Sequence, residues 1–202
     1  MNKNTPKKTD GIDYAELLLK KQTVWWKRFL DVQAPYRWNI RRLNPGFVLD
    51  IGCGIGRNLM HLKGHGVGID HNQQSIEFAR QRGLQAFMPD EFSSAEFNSP
   101  ERFDSIIFAH VAEHMLEDEA VHLLGKYLPN LKTGGRLIAI TPQEAGYKND
   151  PTHVQFMKFS ELRNIASRLN MHLLREYSFP FPRFAGRFFV YNEFISISTK
   201  VV

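Results

Sequence analysis

The sequence contains one cysteine, Cys53, and no long uninterrupted apolar run. A single cysteine can form neither an internal disulfide nor a cysteine-based zinc site, so redox chemistry is not expected. A transmembrane helix would need about 18 consecutive apolar residues, and none are present. Residues 1–11 also lack the apolar stretch of a signal peptide. These absences predict a soluble, cytoplasmic protein.

Charge is only slightly unbalanced, with 26 basic against 21 acidic residues and a formal net charge of +5. This excess makes an anionic acceptor or a nucleic acid conceivable, but it does not favour nucleic acid. At 202 residues with 43% hydrophobic residues, the chain is expected to form one domain, 1–202. Within it we predict a disordered tail at 1–11, N-terminal helices at 12–44 and a sheet domain at 45–202. Nothing in the composition indicates an oligomeric state.

Short apolar runs alternate with helical periodicity from residue 47 onward. Strands are predicted at 47–50, 66–69, 85–87, 103–108 and 136–141, and the helix before the last of them is predicted to end at Gly134-Gly135. Two further β-rich stretches, 173–179 and 188–198, follow without a helix between them. The order predicts an α/β fold with a Rossmann-like, doubly wound, mostly parallel seven-stranded sheet and an antiparallel C-terminal strand.

Residues 48–57, V-L-D-I-G-C-G-I-G-R, end the first predicted strand in a glycine turn. A dinucleotide fingerprint would need a third glycine where Arg57 stands, and the Gly-Lys-Ser/Thr of a P-loop is missing. Asp50 would repel phosphates but suits a cationic amino group. Asp70, which ends the V-G-I-D of the second strand, can accept hydrogen bonds from both hydroxyls of a ribose. The pair indicates an adenosine-like nucleoside with a charged amino acid tail.

These motifs, together with F-D-S-I-I at 103–107, resemble those of the class I S-adenosylmethionine-dependent methyltransferases over about residues 45–142. The resemblance implies S-adenosylmethionine as cofactor and S-adenosylhomocysteine as product. It also implies the residues that contact the cofactor. Gly52, Cys53 and Gly54 would line the methionine portion through their backbone, beside Asp50. Asp70, with His71 next to it, would hold the ribose, and Asp90, or its neighbour Glu91, would bond the adenine amino group.

Two further cofactor contacts are implied by the same resemblance. Pro35-Tyr36-Arg37 resembles the P-x-R of ubiquinone-biosynthesis-type O-methyltransferases, in which the arginine pairs with the cofactor's carboxylate. An ordinary surface arginine is the alternative for Arg37. His110 would border the cofactor, since it follows the fourth predicted strand.

Histidines supply the candidate catalytic groups. Residues 110–114 spell H-x-x-E-H, a zinc-peptidase signature, but that site needs a helix and a third ligand, so no metal is predicted. His114 and His153 are predicted to be catalytic, with His153 as a general base in a loop that usually faces the acceptor in this fold. Alternatively, His114 only bonds nearby backbone, and in-line alignment supplies the catalysis, an effect worth about 7–11 kcal/mol.

The predicted activity is methyl transfer to an oxygen of a small-molecule acceptor. The Asp/Asn-Pro-Pro-Tyr/Phe run of amino-directed nucleic acid methyltransferases is missing after the fourth strand. Aromatic and basic residues mix at 179–188 and around Trp25, Trp26, Phe29 and Trp38, which suggests an acidic or amphiphilic acceptor, although aromatics at helical spacing are usually core. The alternatives are a nucleic acid or protein methyltransferase and a non-catalytic S-adenosylmethionine-binding module.

Overall fold

The computed structural model describes Asp31 and residues 33–201. The predictions for the tail 1–11 and for Trp25, Trp26 and Phe29 lie outside these residues. The chain divides into two compact units, which we call the N-terminal unit (its described residues up to 98) and the C-terminal unit (99–201). The single-domain organisation stays a prediction.

The N-terminal unit alternates short helices with short parallel strands. Its elements are α1 (Ala34–Arg42), β1 (Val48–Ile51), α2 (Arg57–His61), β2 (Gly66–Ile69), α3 (Gln73–Gln81), β3 (Ala86–Phe87) and α4 (Pro89–Ser93). Strand β2 pairs in parallel with both β1 and β3. All residues of β1 and β2 are buried, which explains why, apart from Asp50, these strands are short apolar runs that do not alternate with polar residues.

The C-terminal unit carries the longer strands. Its elements are β4 (Phe103–Ala109), a 3-10 turn (Ala112–His114), α5 (Glu117–Tyr127), a 3-10 turn (Leu128–Asn130), β5 (Leu131–Pro142), α6 (Glu144–Lys148), α7 (Phe159–Arg168), β6 (Met171–Phe179), a 3-10 turn (Arg183–Arg187) and β7 (Glu193–Lys200). Strands β4 and β5 pair in parallel, whereas β7 pairs antiparallel with both β5 and β6.

The seven strands form one sheet in the order β3-β2-β1-β4-β5-β7-β6. The prediction of a mostly parallel, Rossmann-like sheet with an antiparallel C-terminal strand is confirmed. Ligands of such sheets bind beyond the carboxyl ends of the parallel strands. The residues that follow β1, β2, β4 and β5 are therefore the candidate ligand-binding residues. Among residues 31 and 33–201, no helix is both long and apolar enough to cross a bilayer.

Two predicted boundaries are wrong. The helix predicted to run to Gly134-Gly135 ends at Tyr127, because Pro129 follows in a 3-10 turn and β5 already begins at Leu131. The glycines instead form a bulge: Phe103 pairs with Leu131 but Ser105 pairs with Arg136. The last strand begins at Glu193 rather than 188, since residues 188–192 turn back and the Asn192 N–H donates to the Phe189 carbonyl.

Candidate functional site

The glycine turn after β1 has a backbone that favours glycine. Gly52, Gly54 and Gly56 all have positive φ, at 73°, 52° and 80°. The amides of Gly52 and Cys53 donate to the carbonyl of Ile69 at 2.8 and 3.0 Å, which ties the turn to the end of β2. A Cβ at Gly56 would overlap the side chain of Leu84. The turn therefore depends on glycine for both its conformation and its packing.

Asp70, at the end of β2, organises the same turn. Its Oδ2 accepts from the Gly54 amide at 2.7 Å, and its Oδ1 accepts from the Asn72 amide at 2.8 Å. Each carboxylate oxygen can accept a second hydrogen bond, so both retain capacity for a ribose hydroxyl. His71 is exposed, with Nδ1 3.8 Å from Asp70 Oδ1. The ribose-binding roles of Asp70 and His71 stay predictions.

Asp50, in β1, is a buried carboxyl group with an unsatisfied oxygen. The residue is 0% exposed, and Oδ1 accepts from Asn58 Nδ2 at 3.2 Å. No described residue donates a hydrogen bond to Oδ2. Burial raises the pKa of Asp50 to about 7, with the Asn58 bond opposing the rise. A cationic amino group within reach of Oδ2 would stabilise the charged form, as the sequence predicted for a ligand with an amino acid tail.

Cys53 turns its side chain into the core. It packs with Ile76, Ala79 and Ala86, and burial raises the pKa of its thiol. A protonated, buried thiol is a poor nucleophile. The residue is therefore available to a ligand through its backbone only, which is the contact that the resemblance implied.

The alternatives Asp90 and Glu91 both lie in the first turn of α4. Glu91 is already engaged: it accepts from the Met88 amide at 2.8 Å and pairs with Arg80, contacts that lower its pKa. Asp90 is exposed, and its backbone carbonyl accepts from Ser93 Oγ. Of the two carboxylates, Asp90 is the one left available for an adenine amino group.

Arg37 lies in α1 and already has a carboxylate partner. Its guanidinium pairs with Asp31, and this contact lowers the pKa of the aspartate. A cofactor carboxylate would have to share or replace that partner. The ion pair supports the alternative of a surface arginine, while the cofactor-binding role of Arg37 stays a prediction.

His110, directly after β4, lies between Glu113 of the H-x-x-E-H pattern and Glu193, which sequence reasoning missed. Its Nδ1 is 3.4 Å from Glu113 Oε1 and its Nε2 is 2.9 Å from Glu193 Oε1. Burial alone would lower the pKa of His110, but the two carboxylates outweigh it and raise the pKa to about 10, although 41% of the side chain is exposed. His110 is thus an imidazolium at neutral pH. Glu193 is 83 positions away in the chain, so no local pattern could have indicated it.

The two predicted catalytic histidines lie together. The ring centroids of His114 and His153 are 4.9 Å apart. His114 Nδ1 contacts the Thr152 carbonyl at 3.3 Å, and His153 Nδ1 contacts the Tyr147 carbonyl at 2.7 Å. Burial lowers the pKa of His114, while Glu113 opposes that shift. His114 ends a 3-10 turn, and the next helix, α5, begins only at Glu117.

Glu113 completes this group. It is 1% exposed, and no described residue donates a hydrogen bond to either of its carboxylate oxygens. Ligand atoms of Glu113, His114 and His153 all lie within 4.8 Å of one another. The H-x-x-E-H pattern contained two of these residues, but His153 is brought to them only by the fold.

A glycine turn with carboxylates near the ends of two parallel strands is typical of nucleoside-binding α/β proteins. Residues 48–135 match the family model described as methyltransferase domain. An uncharacterized methyltransferase of Bacillus cytotoxicus is 27% identical over 96 residues, which cover 46% of this chain and 45% of that protein. The chain thus matches about half the length of that curated relative.

Solved structures share the fold over most of the chain. A methyltransferase from Archaeoglobus fulgidus, described as S-adenosylmethionine-dependent, has a TM-score of 0.64 at 19% identity and covers 92% of this chain and 99% of its own. Magnesium protoporphyrin IX methyltransferase from Synechocystis, with bound S-adenosylhomocysteine, has a TM-score of 0.65 at 15% identity and covers 95% and 96%. Residues 48–135 thus match a methyltransferase-domain model, and the chain shares its fold with S-adenosylmethionine-dependent methyltransferases, the family that its sequence motifs resemble.

Proposed function

We propose that the protein transfers a methyl group from S-adenosylmethionine to an oxygen atom of a small-molecule acceptor. The observation that carries the proposal is the buried Asp50 carboxyl group, whose Oδ2 has no hydrogen-bond donor among the described residues. It lies beside the glycine turn, whose Gly54 amide donates a hydrogen bond to the Asp70 carboxylate. This combination fits a ligand that carries an ammonium group and a ribose, and it does not fit a pyrophosphate.

Each part of the cofactor has a candidate partner in the N-terminal unit. Asp50 would accept from the amino group, and the backbone of Gly52, Cys53 and Gly54 would line the methionine chain. Asp70, with His71 next to it, would accept from the ribose hydroxyls. Asp90 would bond the adenine amino group, and Arg37 would pair with the carboxylate in competition with Asp31.

The bound cofactor supplies an electrophilic methyl group on a sulfonium. The residues of the protein would align the acceptor oxygen with it and remove the acceptor's proton. His153 is suited to that task, because its Nδ1 donates to the Tyr147 carbonyl and a neutral ring then carries its lone pair on Nε2. The same holds for His114 and the Thr152 carbonyl. His110 is unsuited to be a base because it is already protonated; its predicted place is beside the cofactor.

The acceptor is proposed to be amphiphilic or acidic. The loop between β6 and β7 exposes several large aromatic side chains: Phe181, Phe184, Phe188, Phe189 and Tyr191. Contiguous exposed aromatic surface on a soluble protein commonly marks a binding site. Arg187 in the same loop is exposed and adds positive charge. A nucleic acid or protein acceptor is the second possibility, and a binding module without catalysis is the third.

Calorimetric titration of the full chain with S-adenosylhomocysteine tests the cofactor site. We expect 1:1 binding that Asp70→Asn weakens at least about tenfold, since a charge-assisted hydrogen bond contributes about 1.5–3 kcal/mol. Asp118→Asn, which changes a carboxylate that is 85% exposed in α5, is the matched control and should bind as the wild type does. Absence of binding by the wild type, or equal affinity of Asp70→Asn, would refute the proposal.

A screen of acceptors that reads out release of S-adenosylhomocysteine tests the transfer itself. Turnover of an amphiphilic hydroxylated acceptor that falls in His153→Ala, with cofactor affinity retained, supports a proton-accepting role. Full turnover by both His153→Ala and His114→Ala would mean that alignment alone carries the reaction. Cofactor binding without product from any acceptor would favour the non-catalytic module.

A further inference from the structure

Three potential metal ligands converge beyond the carboxyl ends of two parallel strands. Glu113 and His114 belong to the 3-10 turn that follows β4, and His153 belongs to the loop that follows β5 and α6. The amides of Val154 and Gln155 donate to the Glu113 carbonyl at 2.7 and 3.2 Å, so the loop is fastened to the turn. The relative positions of the three side chains are therefore set by backbone contacts and not by chance proximity of flexible groups.

We propose that Glu113, His114 and His153 bind one divalent transition-metal ion of the Zn²⁺ type. Their ligand atoms lie within 4.8 Å of one another. A tetrahedral ion with bonds of about 2.1 Å sets its ligand atoms about 3.4 Å apart, so binding requires a contraction of at most about 1.4 Å. Rotation of the side chains can supply such a change.

Both histidines have the tautomer that a metal ligand needs. A carbonyl oxygen can only accept, so Nδ1 of His153 donates to Tyr147 and Nδ1 of His114 donates to Thr152. Thr152 Oγ1 also accepts from His114, since its own proton goes to Asp150 Oδ1 at 2.7 Å. In the neutral rings Nε2 is then a lone-pair donor. A backbone carbonyl on the other ring nitrogen is the usual outer contact of metal-binding histidines.

Glu113 gives a second, independent indication of a cation-binding site. Its carboxylate is 1% exposed, Oε1 has only the His110 ring at 3.4 Å, and no described residue donates a hydrogen bond to Oε2, so the group is costly to bury. The charged groups around it are His110, 3.4 Å from Oε1, then Glu193 on the far side of that imidazolium, and Asp150 beside His114. Glu113 and Glu193 share one imidazolium, so a dication beside Glu113 would add a second positive charge next to a buried carboxylate.

The donor set selects the class of ion. Two imidazoles and one carboxylate suit Zn²⁺, Fe²⁺ or Ni²⁺, whereas Mg²⁺ and Ca²⁺ prefer oxygen ligands throughout. Three protein ligands leave a fourth position open. The role of the ion in catalysis rests on the proposed function. In that case an acceptor hydroxyl could occupy the fourth position, where the metal would lower the pKa of the hydroxyl and ease loss of its proton to water. The two histidines would then be ligands and not proton acceptors.

The test is metal binding by the full chain, stripped with a chelator and free of any affinity tag. Titration with Co²⁺ should give visible absorption bands of a four- or five-coordinate ion at one equivalent, and Zn²⁺ should displace it. Loss of an outer-shell partner of a metal ligand lowers metal affinity by about 10- to 100-fold. We expect a larger loss of metal affinity in each of three ligand variants: Glu113→Gln, His114→Ala and His153→Ala. His122→Ala, an exposed histidine in α5, is the matched control and should bind as the wild type does.

Several results would contradict the proposed metal site. The proposal would be overturned if the wild type bound no metal near one equivalent, if His153→Ala bound it equally strongly, or if His122→Ala lost binding. It would also be overturned if Mg²⁺ competed as well as Zn²⁺. Glu113→Gln keeps the volume of the buried side chain, and circular dichroism establishes that it is folded. Titration of the same variants with S-adenosylhomocysteine separates the two proposals: metal binding without cofactor binding refutes the proposed function alone, and the reverse refutes the metal site alone.

Discussion

Replacing Asp50 with asparagine should stabilise the protein more at pH 8 than at pH 5. Asp50 is fully buried, and burial raises its pKa from 3.8 to about 7. In the unfolded chain the carboxyl group returns to its ordinary pKa. Between those two values the folded state binds more protons than the unfolded state, so this group makes the free energy of unfolding fall as pH rises. Above about pH 7 the penalty is complete.

The size of the effect follows from the width of this window. Each pKa unit corresponds to about 1.36 kcal/mol, and about two units of the window lie above pH 5. The stability advantage of Asp50→Asn should therefore grow by about 2–3 kcal/mol between pH 5 and pH 8. Asparagine is neutral throughout, and its carbonyl oxygen can still accept from Asn58 Nδ2. Groups that do not interact with Asp50 titrate alike in the two proteins, so the difference reports Asp50 together with its coupling to Asp70 and Cys53.

Urea unfolding at pH 5, 6, 7 and 8 measures this difference. Asp118→Asn should show no such trend, because that carboxylate is exposed. The variant should also bind S-adenosylhomocysteine more weakly, since the ligand's amino group loses its anionic partner. An advantage that is the same at pH 5 and pH 8 would show that Asp50 does not titrate with a raised pKa, and the argument from its buried carboxyl group would then fail.

Two further predictions concern the glycine turn and His110. Gly56→Ala should lower the free energy of unfolding by about 3 kcal/mol, because φ is positive there and the new Cβ would overlap Leu84. Gly83→Ala should lower it by about 1 kcal/mol only, because φ is 75° but the space around it is open. Thermal or urea unfolding measures both losses, and equal losses would contradict the packing argument. His110, with its pKa raised to about 10, should show imidazolium ring signals by NMR up to about pH 9. Its stabilisation should be complete below about pH 6.5, fall progressively as pH rises, and be lost above pH 10. Titration of this ring near pH 6.5 would refute the pairing with Glu193.

Features specified by adjacent residues were predictable. The buried strands β1 and β2 are apolar apart from Asp50, and the turn between β1 and α2 has glycine at each position of positive φ. The ends of longer elements were harder to predict. Gly134 is typical of a helix end, yet it lies in a bulge of β5, because pairing with β4 allows an extra loop of chain there. Periodicity contains no information on such pairing.

The surroundings of His110 and of the His114–His153 pair could not be predicted from local sequence patterns. H-x-x-E-H was visible, but its meaning depends on His153, about forty positions later, and on Glu193 in the last strand. Sequence spacing could not indicate that Glu113 lacks hydrogen-bond donors or that His110 is held as a cation. Both properties arise from the surroundings of the side chain in space.

By itself, then, the sequence determined the order of strands and helices, the class of cofactor and the glycine turn that would receive it. These follow from burial patterns and backbone conformations that span only a few consecutive residues. Only the tertiary structure decided which carboxyl groups are buried with too few hydrogen-bond donors, which imidazoles are charged and which three side chains meet. Ionisation and metal binding depend on distances through space and on exclusion of water, and both are set by residues far apart in the chain.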